Sequence, residues 1–399
     1  MHRREFLRAG ALAGVSVLAG PFINKGRFHL FADERGERVE HSARAIELVG
    51  RSMVIDMLGL LTLDWPKLYA WQRDPLAFGP TDFQKLQSSG IKIFHPAVEP
   101  NEPRPYEGTL EWIAGWNRLL ESRPDRFLRI GTPSDIAALQ AAREPGKIGI
   151  LIGFQNSDHF RTVDDVRRFH ALGQRVSQLT YNARNRIGCG CRESRDKGLS
   201  AYGAEIVAAM NRVGMAVDVS HCSERTCLDT FAASKKPVLI THSNCRAIAD
   251  NPRCKSDAVI RAMAARGGVM GITAIAAFVS PRRPATIDDV LNHFERVIRL
   301  AGIEHVGLGS DVDLEALDPR TGRVHARYDV RGLPPARRVF DLTESLIRRG
   351  YDDRSIELIL GGNFQRALTE IWSPPPAPAG DRYSTMPIVP SGRRSTAGA

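Results

Sequence analysis

The sequence predicts an α/β chain folded as a single (β/α)8 barrel of the TIM type. Three observations predict it. Short apolar or β-branched runs, each bounded by turn residues, alternate with amphipathic helical stretches through most of the chain. Eight such strand–helix units fit into the available length. The Gly-rich fingerprint that a doubly wound dinucleotide-binding sheet carries after its first strand is missing.

In chain order, the strands are expected at Met53–Asp56, Ile91–Phe94, Ile148–Gly153, Val176–Thr180, Ala216–Ser220, Val238–Thr241, Gly268–Thr273 and His305–Gly309. Each is too short for a helix and ends in turn-forming residues. Helical patterns lie between them at Ala204–Arg212, Ser223–Ala233, Ser256–Arg266 and Ile287–Ala301. Several of these helices open on Ser or Asp, whose side chains satisfy free N–H groups at a helix start.

The ends read differently. His2-Arg3-Arg4-Glu5-Phe6-Leu7-Arg8 resembles a twin-arginine export motif, and the apolar run from Ala9 to Ala19 has the length of a signal h-region rather than a membrane span. Residues 1–24 are therefore expected to be a signal read by the twin-arginine export machinery. This implies a periplasmic or otherwise exported protein. No sharp cleavage site follows, so an uncleaved inner-membrane tether is an alternative. Residues 25–49 form a lead-in, 50–372 the barrel, and 373–399 a Pro-rich tail with few core-forming residues. The net charge of +10 comes mostly from scattered arginines. Without an aromatic-interleaved basic stripe, nucleic acid is not expected as a partner. The six cysteines fall between Cys189 and Cys254, too few for a disulfide framework in a chain of this length.

Catalytic side chains of such a barrel sit where its strands end. His221 and His242 each follow an apolar strand directly, and Asp311 follows the last one. Two imidazoles at one mouth can bind a metal ion. A carboxylate beside them can take a proton from water and return it to a leaving amine.

The same segments carry a resemblance. Thr180-Tyr181-Asn182, Gly198-Leu199-Ser200, Asp218-Val219-Ser220-His221, Thr241-His242-Ser243-Asn244, Pro252-Arg253, His305 to Asp311 and Gly361-Gly362-Asn363-Phe364 follow one another in this order. Together they resemble the membrane (renal-type) dipeptidase family of amidohydrolase-like barrels. The resemblance implies a metallo-dependent hydrolase fold with two zinc ions and a dipeptide or related small substrate. It matches His221 and His242 to the ligands of one zinc, Asp311 to the acid/base carboxylate, and Arg253 to the arginine that grips the substrate carboxylate. Tyr181, at the place of a substrate-contacting His, and Asn244 join the expected substrate-binding residues.

Three ligand positions depart from the family pattern. Leu58 and Leu60 stand where a His-x-Asp pair should bind the second zinc, and Gln155 stands where a bridging Glu should be. One zinc ion is therefore expected, not two. Its third donor could be Gln155, Asp56, Asp311, Cys222 or the Cys189/Cys191 pair. His95, Glu99, Asp158 and His159 follow strand ends closely enough to reach a pocket. Two other readings stay open: a silent barrel that binds a small carboxylate ligand, and non-hydrolytic chemistry using Tyr181 and Asp311. By analogy with the fold, a homodimer is expected.

Overall fold

The computed structural model describes residues 27–32, 38–99, 103–142, 146–318 and 320–373 of the 399-residue chain. The expected signal (1–24) and all but the first residue of the expected tail lie outside the described residues. No helix among the described residues is long and apolar enough to cross a membrane.

A ten-stranded parallel sheet curls into the expected barrel. Its staves are Ile55–Asp56, Ile93–Phe94, Ile148–Ile150 with Gly153–Phe154, Val176–Gln178, Ala216–Asp218, Val238–Ser243, Met270–Ile272 and Val306–Leu308. The last pairs back onto the first through Leu308 and Asp56. The third stave is interrupted at Leu151 and Ile152, and the interruption serves the closure: its first half pairs with the second stave, its second half with the fourth. Phe127–Arg129 adds a parallel strand outside the ring, against Ile148–Ile150.

Most staves are shorter than their apolar runs, whereas Val238–Ser243 continues two residues past Thr241. The helix predicted at Ile287–Ala301 has those limits, and the pattern at Ala204–Arg212 extends to Ala201–Val213. Ser200 caps the latter by accepting from Gly203 N, and Gly214 ends it in the left-handed region at φ 75°.

One buried cluster joins Ile55, Ile93, Val176, Ala216, Leu239 and Val269 from successive staves to Phe364 and Leu368 of the helix Asn363–Trp372. A second, larger one packs the other strand faces against the surrounding helices. The staves approach closely at Gly309, where a Cβ would lie 1.8 Å from the Thr241 carbonyl oxygen. Only glycine fits there. An antiparallel hairpin, Arg27–Ala32 with Arg38–Ser42, precedes the first barrel helix Ala43–Arg51.

Candidate metal and substrate site

His221 and His242 leave adjacent staves at the same end of the barrel, and their Nε2 atoms lie 3.1 Å apart. The hydrogen bonds around them assign the tautomers. His221 Nδ1 lies 2.9 Å from Asn182 Oδ1, an acceptor, so it carries the proton. His242 Nδ1 lies 2.8 Å from Thr241 Oγ1. That hydroxyl already donates to Asp218 Oδ2 at 2.7 Å, so it accepts from the imidazole. Asp218 is itself fixed by the amides of Ser220 and Thr241, both at 3.0 Å. Both Nε2 atoms therefore bear lone pairs, and they face each other.

Two lone pairs at that distance repel unless a cation stands between them. With Zn–N bonds near 2.0–2.1 Å, two nitrogens of a tetrahedral site are about 3.3 Å apart. Burial, with Arg253 second, holds both imidazoles well below their ordinary pKa, so both are neutral and able to bind metal.

Other donors do not gather there. Among the described residues no group of three or more His, Cys, Asp or Glu side chains is placed to hold a metal ion. Where the second ion of a dinuclear site would need donors, Leu58, Leu60 and Ala97 form a small apolar cluster with Leu63 against it. The residues present fit one ion on two imidazoles. They do not fit a second.

Asp56, expected as a weak ligand, is committed elsewhere. It is fully buried, accepts from Ser310 N at 2.8 Å, and pairs with Arg338 Nη2 at 3.0 Å. Gln155 donates its amide N–H to Ala97 O at 2.9 Å and lines the adjoining cavity. The cysteines are all free thiols. Cys191 Sγ lies 3.4 Å from Asn182 Oδ1, and burial pushes the Cys222 thiol pKa up, the wrong direction for a thiolate ligand.

The cavity beside the pair measures roughly 860 Å³, and Gln155, Tyr181, Asp311, Glu99, Arg327 and Tyr328 form its inner part. Tyr181 stacks on His221, with ring centroids 4.3 Å apart and planes 22° off parallel, so it stands between the imidazole and this space. Burial raises the Tyr181 pKa, and Asp311 raises it further. Asp311 is pushed up to about 6 by burial, against the opposing pull of Arg327 and Arg253. Asp311 and Asn182 adopt left-handed backbone at φ 60° and 56°. Outside glycine that conformation is uncommon and tends to collect at functional positions.

Several expected residues are turned away from the cavity. Arg253 is buried, and its Nη1 and Nη2 donate to Ser220 O at 2.6 Å and His242 O at 2.9 Å. It braces the strand ends that carry the two histidines. Asn244 spends both ends of its amide on the backbone of Thr273. His159 is packed among Phe154, Phe160 and Phe169, and burial lowers its pKa to about 3. His95 donates to Leu151 O at 2.8 Å inside the barrel. Asp158 accepts from Asn156 Nδ2 at 3.1 Å, and neither it nor His159 lines the cavity.

Arg327 and Tyr328 were not singled out in the sequence. They lie in a long polar stretch after the last stave with no periodicity to mark them. A second cation braces the same turn as Arg253: Lys255 Nζ donates to Val219 O at 2.8 Å and Cys222 O at 2.9 Å.

Comparison with known proteins gives one consistent likeness. Residues 43–373 match the profile of the family described as membrane dipeptidase (peptidase family M19). An uncharacterized dipeptidase of Schizosaccharomyces pombe is 34% identical over 255 residues, covering 58% of this chain and 60% of that protein. The dipeptidase aclJ of Aspergillus oryzae is 29% identical over 309 residues, covering 74% of this chain and 70% of its own length. An amidohydrolase from Pseudomonas aeruginosa superposes with a TM-score of 0.69 at 30% identity, over 82% of this chain and 99% of that one. A metallo peptidase from Rhodobacter sphaeroides, solved with a phosphinate mimic of the dipeptide L-Ala-D-Ala, shares the fold at 20% identity with a TM-score of 0.64, over 80% of this chain and 99% of its own.

Proposed function

Because the chain belongs to the membrane dipeptidase family, we propose that it is an exported hydrolase of dipeptides or related small amides that works with one divalent ion, zinc, on His221 and His242. The observation that carries this reading is the pair of facing Nε2 lone pairs at 3.1 Å. A bound ion at this pair supplies Lewis-acid activation of water.

The chain's own residues supply the rest. Asn182 and Thr241 hold the two imidazoles in the ligand tautomer, as outer partners of metal-binding histidines do. Asp311 lines the cavity and carries no coordination duty, so it is available to move the proton from water to the leaving amine. Its raised pKa suits a group that must be base and acid in turn near neutral pH. Arg327 lines the cavity while Arg253 is spent on backbone carbonyls, so the substrate carboxylate is assigned to Arg327. Tyr181 must swing off His221 for substrate to reach the pair.

Amine release from alanyl dipeptides, with and without chelator, tests the reading. The account expects chelator-sensitive turnover and a rate that rises with pH through about 6, as Asp311 loses its proton. Asp311→Asn is expected to lower kcat by about 10²–10⁴-fold. Chelator-insensitive turnover, or an Asp311→Asn enzyme of full activity, contradicts it. Export by the twin-arginine route rests on Arg3 and Arg4. Arg3→Lys/Arg4→Lys should retain the chain in the cytoplasm, and an unchanged periplasmic yield would remove that part of the proposal.

A further inference from the structure

The cavity exceeds what a dipeptide fills. Its volume of about 860 Å³ lies near the upper end of the roughly 300–1,000 Å³ found for sites that take drug-sized ligands. Much of its lining comes not from the strand ends but from the helices Trp65–Arg73 and Pro105–Ser122. Trp65 and Tyr69 come from the first helix and Trp112 from the second. The Trp65 ring lies 6.4 Å from both Tyr69 and Trp112, centroid to centroid.

Two features distinguish this wall from ordinary packing. Trp65 and Tyr69 are 38% and 43% exposed, and they are the only aromatic side chains among the large apolar residues that the described chain leaves exposed. An exposed apolar wall inside a cavity marks a binding surface. On the second helix, Gly108, Glu111, Trp112 and Gly115 share one face by their three- and four-residue spacing, and all line the cavity. Glycine weakens a helix interior. At Gly115 a Cβ would lie 2.7 Å from the Gln72 amide, so the glycine lets this helix approach the helix Trp65–Arg73 closely.

We propose that the part of the cavity walled by these two helices is a subsite for a flat aromatic acyl group, so that aroyl-amino acids are bound in preference to simple dipeptides. The hydrolase reading enters only in placing the amide beside Asp311. The rings of Trp65, Tyr69 and Trp112 supply stacking and edge contacts.

Calorimetric titration of the full chain with naphthoyl-glycine and with acetyl-glycine tests this, the ratio of the two affinities being the readout. The wild type should bind naphthoyl-glycine at least about tenfold more tightly, given what one buried aromatic contributes. Trp65→Ala and Tyr69→Ala each remove one of the half-exposed rings of the wall, and each should reduce the ratio several-fold. A wild-type ratio near one, or a ratio that survives both substitutions, overturns the subsite. Turnover of alanyl dipeptides and of naphthoyl-glycine is measured separately: a high ratio with turnover of neither would sink the hydrolase reading and leave the subsite standing, and turnover with a ratio near one would do the reverse.

Discussion

His221 and His242 owe their ligand geometry to two short hydrogen bonds from their other ring nitrogens, to Asn182 and to Thr241. Removing one such partner should release the tautomer and cost metal affinity. Asn182→Ala is expected to weaken metal binding about 10–100-fold, measured by competition against a chelating dye. Unchanged affinity would mean that Asn182 does not set the tautomer. The positions of the two histidines and Asp311 were legible in the sequence, because each lies at the C-terminal end of an apolar run that forms a stave, His242 within it and His221 and Asp311 three residues beyond. The directions of their neighbours were not. Arg253 follows the sixth strand and carries the right fork, but its orientation depends on which carbonyls the fifth and sixth strands leave unpaired at the mouth. Asn244 likewise met a backbone partner, Thr273, that only the barrel brings beside it.

At the level of elements, the first stave is the one that has changed its work. Leu58 and Leu60 close an apolar cluster where a dinuclear centre would need donors, and Asp56 looks the other way into an ion pair with Arg338. That pair ties the first stave to the helix Arg338–Arg348, and both partners are almost entirely buried, at 0% and 2%. Breaking one side of a buried pair strands the other charge. Arg338→Met is expected to destabilise the fold by about 3–5 kcal/mol, read from urea unfolding. A loss below about 1 kcal/mol, the scale of an exposed pair, would show that Asp56 finds water instead. All eight staves were legible from short apolar runs with turn residues at their ends. The interruption of the third at Leu151 and Ile152 was not, since both are as apolar as the residues that pair. The strand Phe127–Arg129 was missed because it is three residues long and offers no period to read.

Over the whole molecule, the barrel presents one deep mouth with two zones of different character. The inner zone combines Asp311, Tyr181, Gln155 and Arg327, with the imidazole pair behind Tyr181. The outer zone is aromatic. Cationic groups brace the inner zone from behind, because Arg253 and Lys255 both donate to carbonyls of the turn that carries His221. Metal content of the purified, untagged protein by elemental mass spectrometry, beside a His221→Ala/His242→Ala double variant, tests the proposal of one ion on this pair most directly. The account predicts about one divalent ion per chain in the wild type, held on the two convergent imidazoles, and loss of that ion in the variant. Two ions per chain, or none, or an ion that survives the double substitution, would contradict it.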